Sequence, residues 1–442
     1  MSGHRSASGV GLRETEQEEQ EELERISEAS FLYLIGAESM DDLAKHTVLG
    51  LQHNQIRVLP SRIGELTALR TLQLGHNELN TLPDSLCQLA TLNTVALHSN
   101  QLRRLPKDFG QLTAVHTLLL HENQLDGLPE DVGRLASLRR LFLHQNQLRS
   151  LPESFPQLAA LDTLLLHDNL LTRLPAAFGR LGSLSRLQLY RNELAALPES
   201  FGQLASLQEL LIDRNRLGLL PDGCCLFTAL HTLGLSYNEL CRLPEGFGQL
   251  KALHTLHLHH NRLSALPGSF AQLTALDGLS LDQNEISALP DQFCELTALH
   301  TLFLHRNQLR SLPDNFGALA ALQTLHVQEN QLSALPESFT QITALQTLDL
   351  RQNCILVLPH NFSQLAALQV LDLSQNELSA LPNKFCQLRH LHTLHLDCNQ
   401  LSSLPEGFLQ LTELKTLTLD LQPRIRLCCQ AVMGTVSCGY KR

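Results

Sequence analysis

Hydrophobic and polar positions along the chain follow a pattern that repeats every 23 residues. Within each copy, leucines alternate with outward positions, as in "LLLHE" at 118–122 and "LFLHQ" at 141–145. An alternation of period two predicts a short β-strand whose two leucines point into a core while the residue between them points outward. We therefore expect one short strand in each copy, and a sheet of parallel strands where the copies stack.

An asparagine follows every predicted strand, at the point where the chain turns. Its side-chain amide can bond backbone groups that the turn leaves unpaired, each of which costs about 1 to 3 kcal/mol when it is buried without a partner. The pattern predicts a structural ladder formed by Asn54, Asn77, Asn100, Asn123, Asn146, Asn169, Asn192, Asn215, Asn238, Asn261, Asn284, Asn307, Asn330, Asn353, Asn376 and Asn399.

A Leu-Pro pair closes each copy six residues after the asparagine, from Pro60 to Pro405. Proline fixes φ and cannot donate to a strand ladder, so it marks an irregular or short-helical return segment. Phenylalanine follows three residues later in most copies and predicts a stacked aromatic spine. The next position is usually glycine. Its cysteine replacements, for which thiol redox chemistry is the alternative, are interpreted as small packing residues: Cys87, Cys225, Cys294 and Cys386.

The consensus L-x-x-L-x-T-L-x-L-H-x-N-x-L-x-x-L-P-x-x-F-G-Q resembles the leucine-rich repeat (LRR) family over about residues 43–422. The resemblance implies an α/β solenoid, a horseshoe with about 16–17 parallel short strands on its concave face. The 23-residue "LP" form is similar to intracellular Ras-group LRR proteins, which implies scaffolding and, as partner classes, a small GTPase or a phosphatase. Those relatives usually carry isoleucine where this chain has phenylalanine, so Ras itself is not carried over.

The flanks of the array differ from the repeats. We expect a disordered lead at 1–14 and an acidic helical cap at 15–42, because "TEQE" at 15–18 fits a capping box and apolar residues follow with helical spacing. The array itself spans 43–422. Residues 423–442 form a basic C-terminal tail, in which Cys428 and Cys429 leave lipidation open beside a frayed or partly packed tail.

Charge and composition exclude several classes of function. The net charge is -11, with eleven acidic and four basic residues in the first 45, which argues against nucleic-acid binding. No stretch approaches the roughly 20 apolar residues of a membrane span, and the N-terminus lacks the apolar core of a secretory signal. The eleven cysteines are scattered, which favours reduced thiols. We therefore expect a cytoplasmic protein without a transmembrane segment.

The sequence predicts a binding protein and no enzyme. It contains no phosphate-binding glycine-rich loop, no H-E-x-x-H, no G-x-S-x-G and no paired cysteines spaced for zinc. The flanks are shorter than an ordinary catalytic domain. We expect no cofactor and no catalytic residue. The leading interpretation is a non-catalytic scaffold or adaptor in intracellular signalling. The alternative is a regulatory or effector-type LRR protein that sequesters a signalling protein.

Residues 23 apart should lie about 4.8 Å apart on adjacent strands, so outward positions form lanes. The lane two residues before the asparagines carries four successive histidines, and the lane four residues before them carries apolar residues that we expect to form an exposed stripe. Such a stripe is typical of a protein-binding patch. The candidate partner-binding residues are Leu119, His121, Phe142, His144, Leu165, His167, Tyr190 and Arg191, with Asp213, Tyr237, His257, His259, Phe303 and His305 in a second group.

Three interpretations of the histidines remain open from the sequence. They could contact a partner, with a pKa lowered by their neighbours. They could be a solvated surface inherited by repeat duplication. Metal binding, with His257, His259 and His260 as a local cluster, is the third, although parallel side chains diverge from a common centre. We predict no metal site.

Overall fold

The computed structural model describes residues 28–420 and 437–439. The predicted lead at 1–14, the first part of the cap at 15–27 and Cys428 and Cys429 in the tail lie outside the described residues. The chain divides into two compact units, Met1–Leu207 and Gln208–Arg442. Each unit is built from the same 23-residue repeat.

Two short helices precede the first strand. Residues 28–35 form helix α1, and Met40–Leu43 form helix α2. A capping box starts α2: the Ser39 hydroxyl accepts from the Asp42 N–H, and the Asp42 carboxylate accepts from the Ser39 N–H. Phe31 and the apolar residues of α2 are buried. These side chains therefore belong to the core at the start of the first unit.

The first unit contains seven three-residue strands, each paired in parallel with the next at an offset of 23 residues, so that Leu118 lies opposite Leu141. The offset holds at every pairing. The strands are β1 (Val48–Gly50), β2 (Thr71–Gln73), β3 (Thr94–Ala96), β4 (Thr117–Leu119), β5 (Arg140–Phe142), β6 (Thr163–Leu165) and β7 (Arg186–Gln188).

The second unit continues the same parallel register. Its last strand, β18, lies in the predicted tail and pairs with β17 at an offset of 21 residues. The strands are β8 (Glu209–Leu211), β9 (Thr232–Gly234), β10 (Thr255–His257), β11 (Gly278–Ser280), β12 (Thr301–Phe303), β13 (Thr324–His326), β14 (Thr347–Asp349), β15 (Val370–Asp372), β16 (Thr393–His395), β17 (Thr416–Thr418) and β18 (Ser437–Gly439).

The return segments are 3₁₀ turns of three to five residues. In the first unit they are Ser61–Glu65, Asp84–Gln88, Phe109–Gln111, Val132–Arg134, Phe155–Gln157, Phe178–Arg180 and Glu199–Gln203. In the second unit they are Asp222–Leu226, Phe247–Gln249, Gly268–Gln272, Asp291–Glu295, Phe316–Ala318, Glu337–Gln341, Phe362–Gln364, Phe385–Gln387 and Phe408–Gln410. The predicted solenoid of short parallel strands is confirmed. No helix among the described residues has the length and apolar character needed to cross a bilayer.

A spine of phenylalanine rings runs through the core behind these turns. Phe247, Phe270 and Phe293 stack at centroid distances of 6.0 and 6.2 Å, and all three are buried. The same stacking joins Phe155 to Phe178 at 6.4 Å. With the fully buried leucines of the strands, each of which contributes about 1.5 to 3 kcal/mol, the spine makes the core continuous from repeat to repeat within each unit.

Each asparagine bonds backbone groups of its own and the preceding repeat. Asn146 Nδ2 donates to the carbonyls of Leu120, Leu143 and His144 at 3.0, 3.0 and 3.3 Å, and its Oδ1 accepts from the Leu125 N–H at 2.9 Å. Asn146 is buried. The side chain therefore satisfies four backbone groups at a turn that would otherwise leave them unpaired.

The residue before each asparagine adopts a left-handed conformation. Glu122, Gln145 and Asp168 have φ of 55°, 55° and 54°, and none of these positions is a glycine. A left-handed residue with a side chain costs about 1 to 2 kcal/mol. The hydrogen bonds of the neighbouring asparagine hold the turn in this conformation.

Candidate functional site

Three apolar side chains form a strip on the outward face of the sheet in the first unit. Leu119 lies opposite Phe142, and Phe142 lies opposite Leu165, on strands β4, β5 and β6. All three are half-buried, not fully exposed as the sequence suggested. Adjacent strands lie only about 4.8 Å apart, so each side chain shields the next. This apolar strip (Leu119, Phe142, Leu165) is a continuous surface of partly accessible hydrophobic groups.

A column of aromatic rings runs beside the apolar strip. His98, His121, His144 and His167 follow one another at centroid distances of 4.6, 4.4 and 4.4 Å, with planes inclined by 6°, 10° and 21°. Tyr190 continues the stack 4.2 Å beyond His167. The lane predicted from the 23-residue period is therefore a column of stacked rings in which successive side chains touch.

Two further histidines extend the column toward the N-terminus. His53 and His76 stack at 4.4 Å, and His76 meets His98 edge-on at 4.9 Å. They come from the position directly before the asparagine, one residue away from the lane of the others. Gly75 makes this possible, because a Cβ there would lie 2.5 Å from His98 Nε2. The sequence analysis missed both rings, although "GHN" at 75–77 was a usable signal.

We call the seven rings His53, His76, His98, His121, His144, His167 and Tyr190 the ring column. Phe142 of the apolar strip lies 6.2 Å from both His121 and His144, measured between ring centroids. The column and the strip therefore share one face. They bring together seven of the first eight candidate residues: Leu119, His121, Phe142, His144, Leu165, His167 and Tyr190.

The central rings are held in their neutral form. Burial lowers the pKa of His121 and of His144 to about 4, and the neighbouring histidines lower it further, because two imidazolium ions would repel each other. The pKa of His98 is lowered by burial and by His76. The predicted downward shift is confirmed, with burial as its largest cause.

The charged groups next to the column are already paired. Glu122 accepts a hydrogen bond from the Ser99 hydroxyl at 2.7 Å, which lowers the pKa of that carboxyl. Burial alone would raise the pKa of Asp168. Hydrogen bonds from His167 Nδ1 at 2.9 Å and Arg191 Nη1 at 3.2 Å outweigh it and lower that pKa. Arg191, the remaining candidate of the first group, therefore lies beside the column as the ion-pair partner of Asp168.

The second group of candidates divides into two clusters on the outward face of the second unit. In the first, Arg214 lies over the Tyr237 ring at 4.1 Å, and Tyr237 stacks on His260 at 4.0 Å. The ring of His259 lies edge-on to Tyr237 at 5.2 Å, and its Nδ1 is 2.8 Å from the Ser236 hydroxyl. Arg214 and His260 were missed, because they lie directly before an asparagine and outside the predicted lane.

Asp213 and His257 border this first cluster. Asp213 Oδ1 accepts from the Ser236 N–H at 2.8 Å, in space that Gly234 leaves open. His257 lies 6.3 Å from His259 between ring centroids, and its Nδ1 is 3.4 Å from the Ser280 hydroxyl. Both residues are half-buried.

The second cluster contains Phe303 and His305. His326 meets Phe303 edge-on at 5.1 Å, and His305 Nε2 lies 3.4 Å from the carboxylate of the buried Asp282. Burial lowers the pKa of His259, His305 and His326. Paired charges and small polar residues interrupt the rings here, so this face is less continuous than that of the first unit.

The described histidines do not form a metal site. Among residues 28–420 and 437–439, no group of three or more His, Cys, Asp or Glu side chains is arranged to hold a metal ion. Stacked imidazoles direct their nitrogen lone pairs side by side, whereas a metal requires ligands that converge.

The small cysteines of the return segments are packing residues. Cys87, Cys225 and Cys294 are buried free thiols, and burial raises the pKa of each to about 11. Burial also raises the pKa of Cys386. A thiol with a raised pKa carries little reactive thiolate at neutral pH.

Comparison with family models identifies the repeats. The model described as "Leucine-rich repeat region" matches residues 122–217, 222–308 and 343–428, and the model described as "Leucine rich repeat" matches 45–102. No curated protein matches the sequence.

Solved structures share the fold. An LRR protein of Leptospira interrogans is 32% identical, with a TM-score of 0.74, and the match covers 90% of this chain and 97% of that one. The glycosylated Toll–Spätzle complex of Drosophila matches at 26% identity and a TM-score of 0.74, covering 91% and 59%. The LRR ectodomain of a plant membrane receptor kinase from Arabidopsis thaliana, in complex with casparian strip integrity factor 2, matches at 28% and 0.53, covering 82% and 51%. The chain belongs to the leucine-rich repeat family, whose fold is a protein-binding scaffold.

Proposed function

We propose that this protein is a non-catalytic scaffold or adaptor in intracellular signalling that binds a partner protein through the outward strand face of its first unit. The observation that carries the proposal is the apolar strip beside the ring column: partly accessible hydrophobic and aromatic groups, contiguous over several strands and bordered by paired charges. Such a composition, apolar at its centre and polar at its rim, suits a protein partner.

Two further observations support the proposal. The Drosophila and Arabidopsis structures are complexes with a protein and a peptide ligand, respectively, on the same fold. The eight described cysteines are all free, which fits a reducing compartment. A small GTPase or a phosphatase remains the partner class that the "LP" repeat suggests.

The test replaces Phe142 and Leu165 together by glutamate. Two carboxylates in the centre of the strip should reduce partner capture at least about tenfold, because each must be desolvated against an apolar surface. The measurement is affinity capture on the immobilised full chain, read by mass spectrometry, with circular dichroism to show that the fold is retained.

The matched control replaces Leu356 and Leu409, which are 52% and 60% exposed, by glutamate. It adds the same charge at apolar positions away from the strip and should leave capture unchanged. A protein captured equally by the wild type and both variants does not bind at this site and would overturn the proposal.

A further inference from the structure

The two central rings of the column each enclose one nitrogen. His121 Nδ1 and His144 Nδ1 are shielded from solvent and have no hydrogen-bond partner among the described residues. Both rings are stacked on both sides, His121 between His98 and His144, and His144 between His121 and His167. Neither ring can turn its Nδ1 outward without breaking these stacks.

The enclosed nitrogen decides which tautomer the neutral ring adopts. A proton on Nδ1 would bury an N–H group without an acceptor, which costs about 1 to 3 kcal/mol. With the proton on Nε2, the donor is at the nitrogen that can reach solvent or a partner. His121 and His144 therefore present two N–H donors on the strand face, on rings whose centroids are 4.4 Å apart.

The surroundings of these donors keep them uncharged. The titratable groups that act on His121 are His98, His76, His167 and Glu122, and those that act on His144 are His121, His167, Glu122 and Asp168. The two carboxylates among them are already bonded, Glu122 by Ser99 and Asp168 by His167 and Arg191. The apolar strip on the same face adds no charge.

We propose that this face receives an uncharged partner segment whose apolar side chains pack on Leu119, Phe142 and Leu165 and whose hydrogen-bond acceptors lie over His121 and His144. This inference rests on the proposed function, because it specifies the chemistry of the same site. Carbonyl, carboxamide and hydroxyl oxygens can accept from neutral imidazole N–H groups. An ammonium or guanidinium group offers them no acceptor, and a carboxylate would be brought close to Glu122 and Asp168.

The test selects 12-residue peptides from a random phage library on the immobilised full chain at pH 7.4. Selected peptides should be apolar, without Lys, Arg, Asp or Glu in the contact segment, and should lose binding to the variant with Phe142→Glu and Leu165→Glu. The variant with His121→Phe and His144→Phe keeps the stacked rings and removes the donors, so it should bind about tenfold more weakly. The variant with His121→Gln and His144→Gln keeps N–H donors and should lose less.

Two measurements on the wild type complete the test. Affinity for an uncharged selected peptide should change by no more than about twofold between pH 8 and pH 5.5, because the donors stay neutral where an ordinary histidine titrates. Side-chain ¹⁵N spectra should show His121 and His144 protonated at Nε2.

The outcomes separate this inference from the proposed function. Charged consensus segments, unchanged binding to the double phenylalanine variant, a strong pH dependence or Nδ1-protonated rings would each overturn the inference, while loss of binding with the glutamate variant would leave the proposed site standing. Peptides that bind the glutamate variant as well as the wild type would overturn both.

Discussion

Single side chains in this protein act on backbone groups from two repeats at once. Asn146 donates to carbonyls in its own turn and in the preceding repeat and accepts an N–H from that repeat. Asn54, at the start of the series, donates only to the Gln52 carbonyl among the described contacts. Residues of one type at equivalent positions therefore differ in what they hold together, and the difference can be measured.

Replacing Asn146 by alanine should lower the free energy of unfolding by about 3 kcal/mol, because several buried backbone groups lose their partner. The Asn54→Ala variant is the control and should lose about 1 kcal/mol or less. The measurements are urea unfolding and amide hydrogen exchange at Leu125, whose N–H bonds Asn146 Oδ1. Equal losses in the two variants would contradict this role of the ladder.

At the scale of elements, short strands and 3₁₀ turns are too small to be stable alone, so their packing against neighbours supplies the stability. The phenylalanine spine does this behind the sheet. Phe270 stacks on Phe247 at 6.0 Å and on Phe293 at 6.2 Å, and all three rings are buried. One ring therefore contributes to three successive repeats.

The Phe270→Ala variant should lose about 3 to 5 kcal/mol of unfolding free energy, since it removes buried surface and leaves a cavity between two rings. Phe270→Leu keeps most of the volume and should lose about 1.5 kcal/mol or less. Urea unfolding of the two variants beside the wild type provides the measurement. If the alanine variant were no less stable than the leucine variant, the spine would not be a continuous packing element.

The ring column adds a pH dependence to the first unit. His121 and His144 have a pKa of about 4 in the folded chain and about 6.5 when unfolded, so between these values the unfolded chain binds more protons than the folded chain. Stability is therefore fully present above about pH 6.5 and is lost as the pH falls toward 4. Each ring contributes at most about 1.4 kcal/mol per pH unit in this range.

Urea unfolding between pH 7 and pH 4.5 should show this loss, and the variant with His121→Gln and His144→Gln should show a shallower slope. An exposed pair, His390 with His360, provides the control by the same replacement. Equal slopes for the ring-column variant and the wild type would show that these two rings do not stay neutral in the folded chain.

At the scale of the whole molecule, much of the architecture could be predicted from the period alone. Equal spacing of leucines and asparagines predicted the parallel strands, their offset of 23 residues and the asparagine positions. It could not predict that His53 and His76 join the column, because that depends on the space beside Gly75. The apolar strip was expected to be exposed, but side chains on adjacent strands shield one another. Burial in a stack is a property of neighbours in space, and no single copy of the motif contains it.

A strict period also predicts how the chain tolerates deletions. Removing residues 130–152, one whole repeat, joins Pro129 to Glu153 and preserves every later position relative to its neighbour. The variant should fold with one ring fewer in the column and the same circular dichroism per residue. Removing residues 130–141 shifts the register by about half a repeat and should abolish cooperative unfolding. Thermal unfolding of both variants tests this, and equal behaviour would contradict a fold built from interchangeable copies.

The left-handed residue before each asparagine separates conformation from display. Glutamate, glutamine, aspartate, arginine, tyrosine, histidine and cysteine all occupy that position with nearly the same φ. Because the turn does not require glycine, selection is free to write a different letter there in each copy without redrawing the backbone. A lineage could thus revise what this protein recognises one rung at a time, and an engineer could follow the same route.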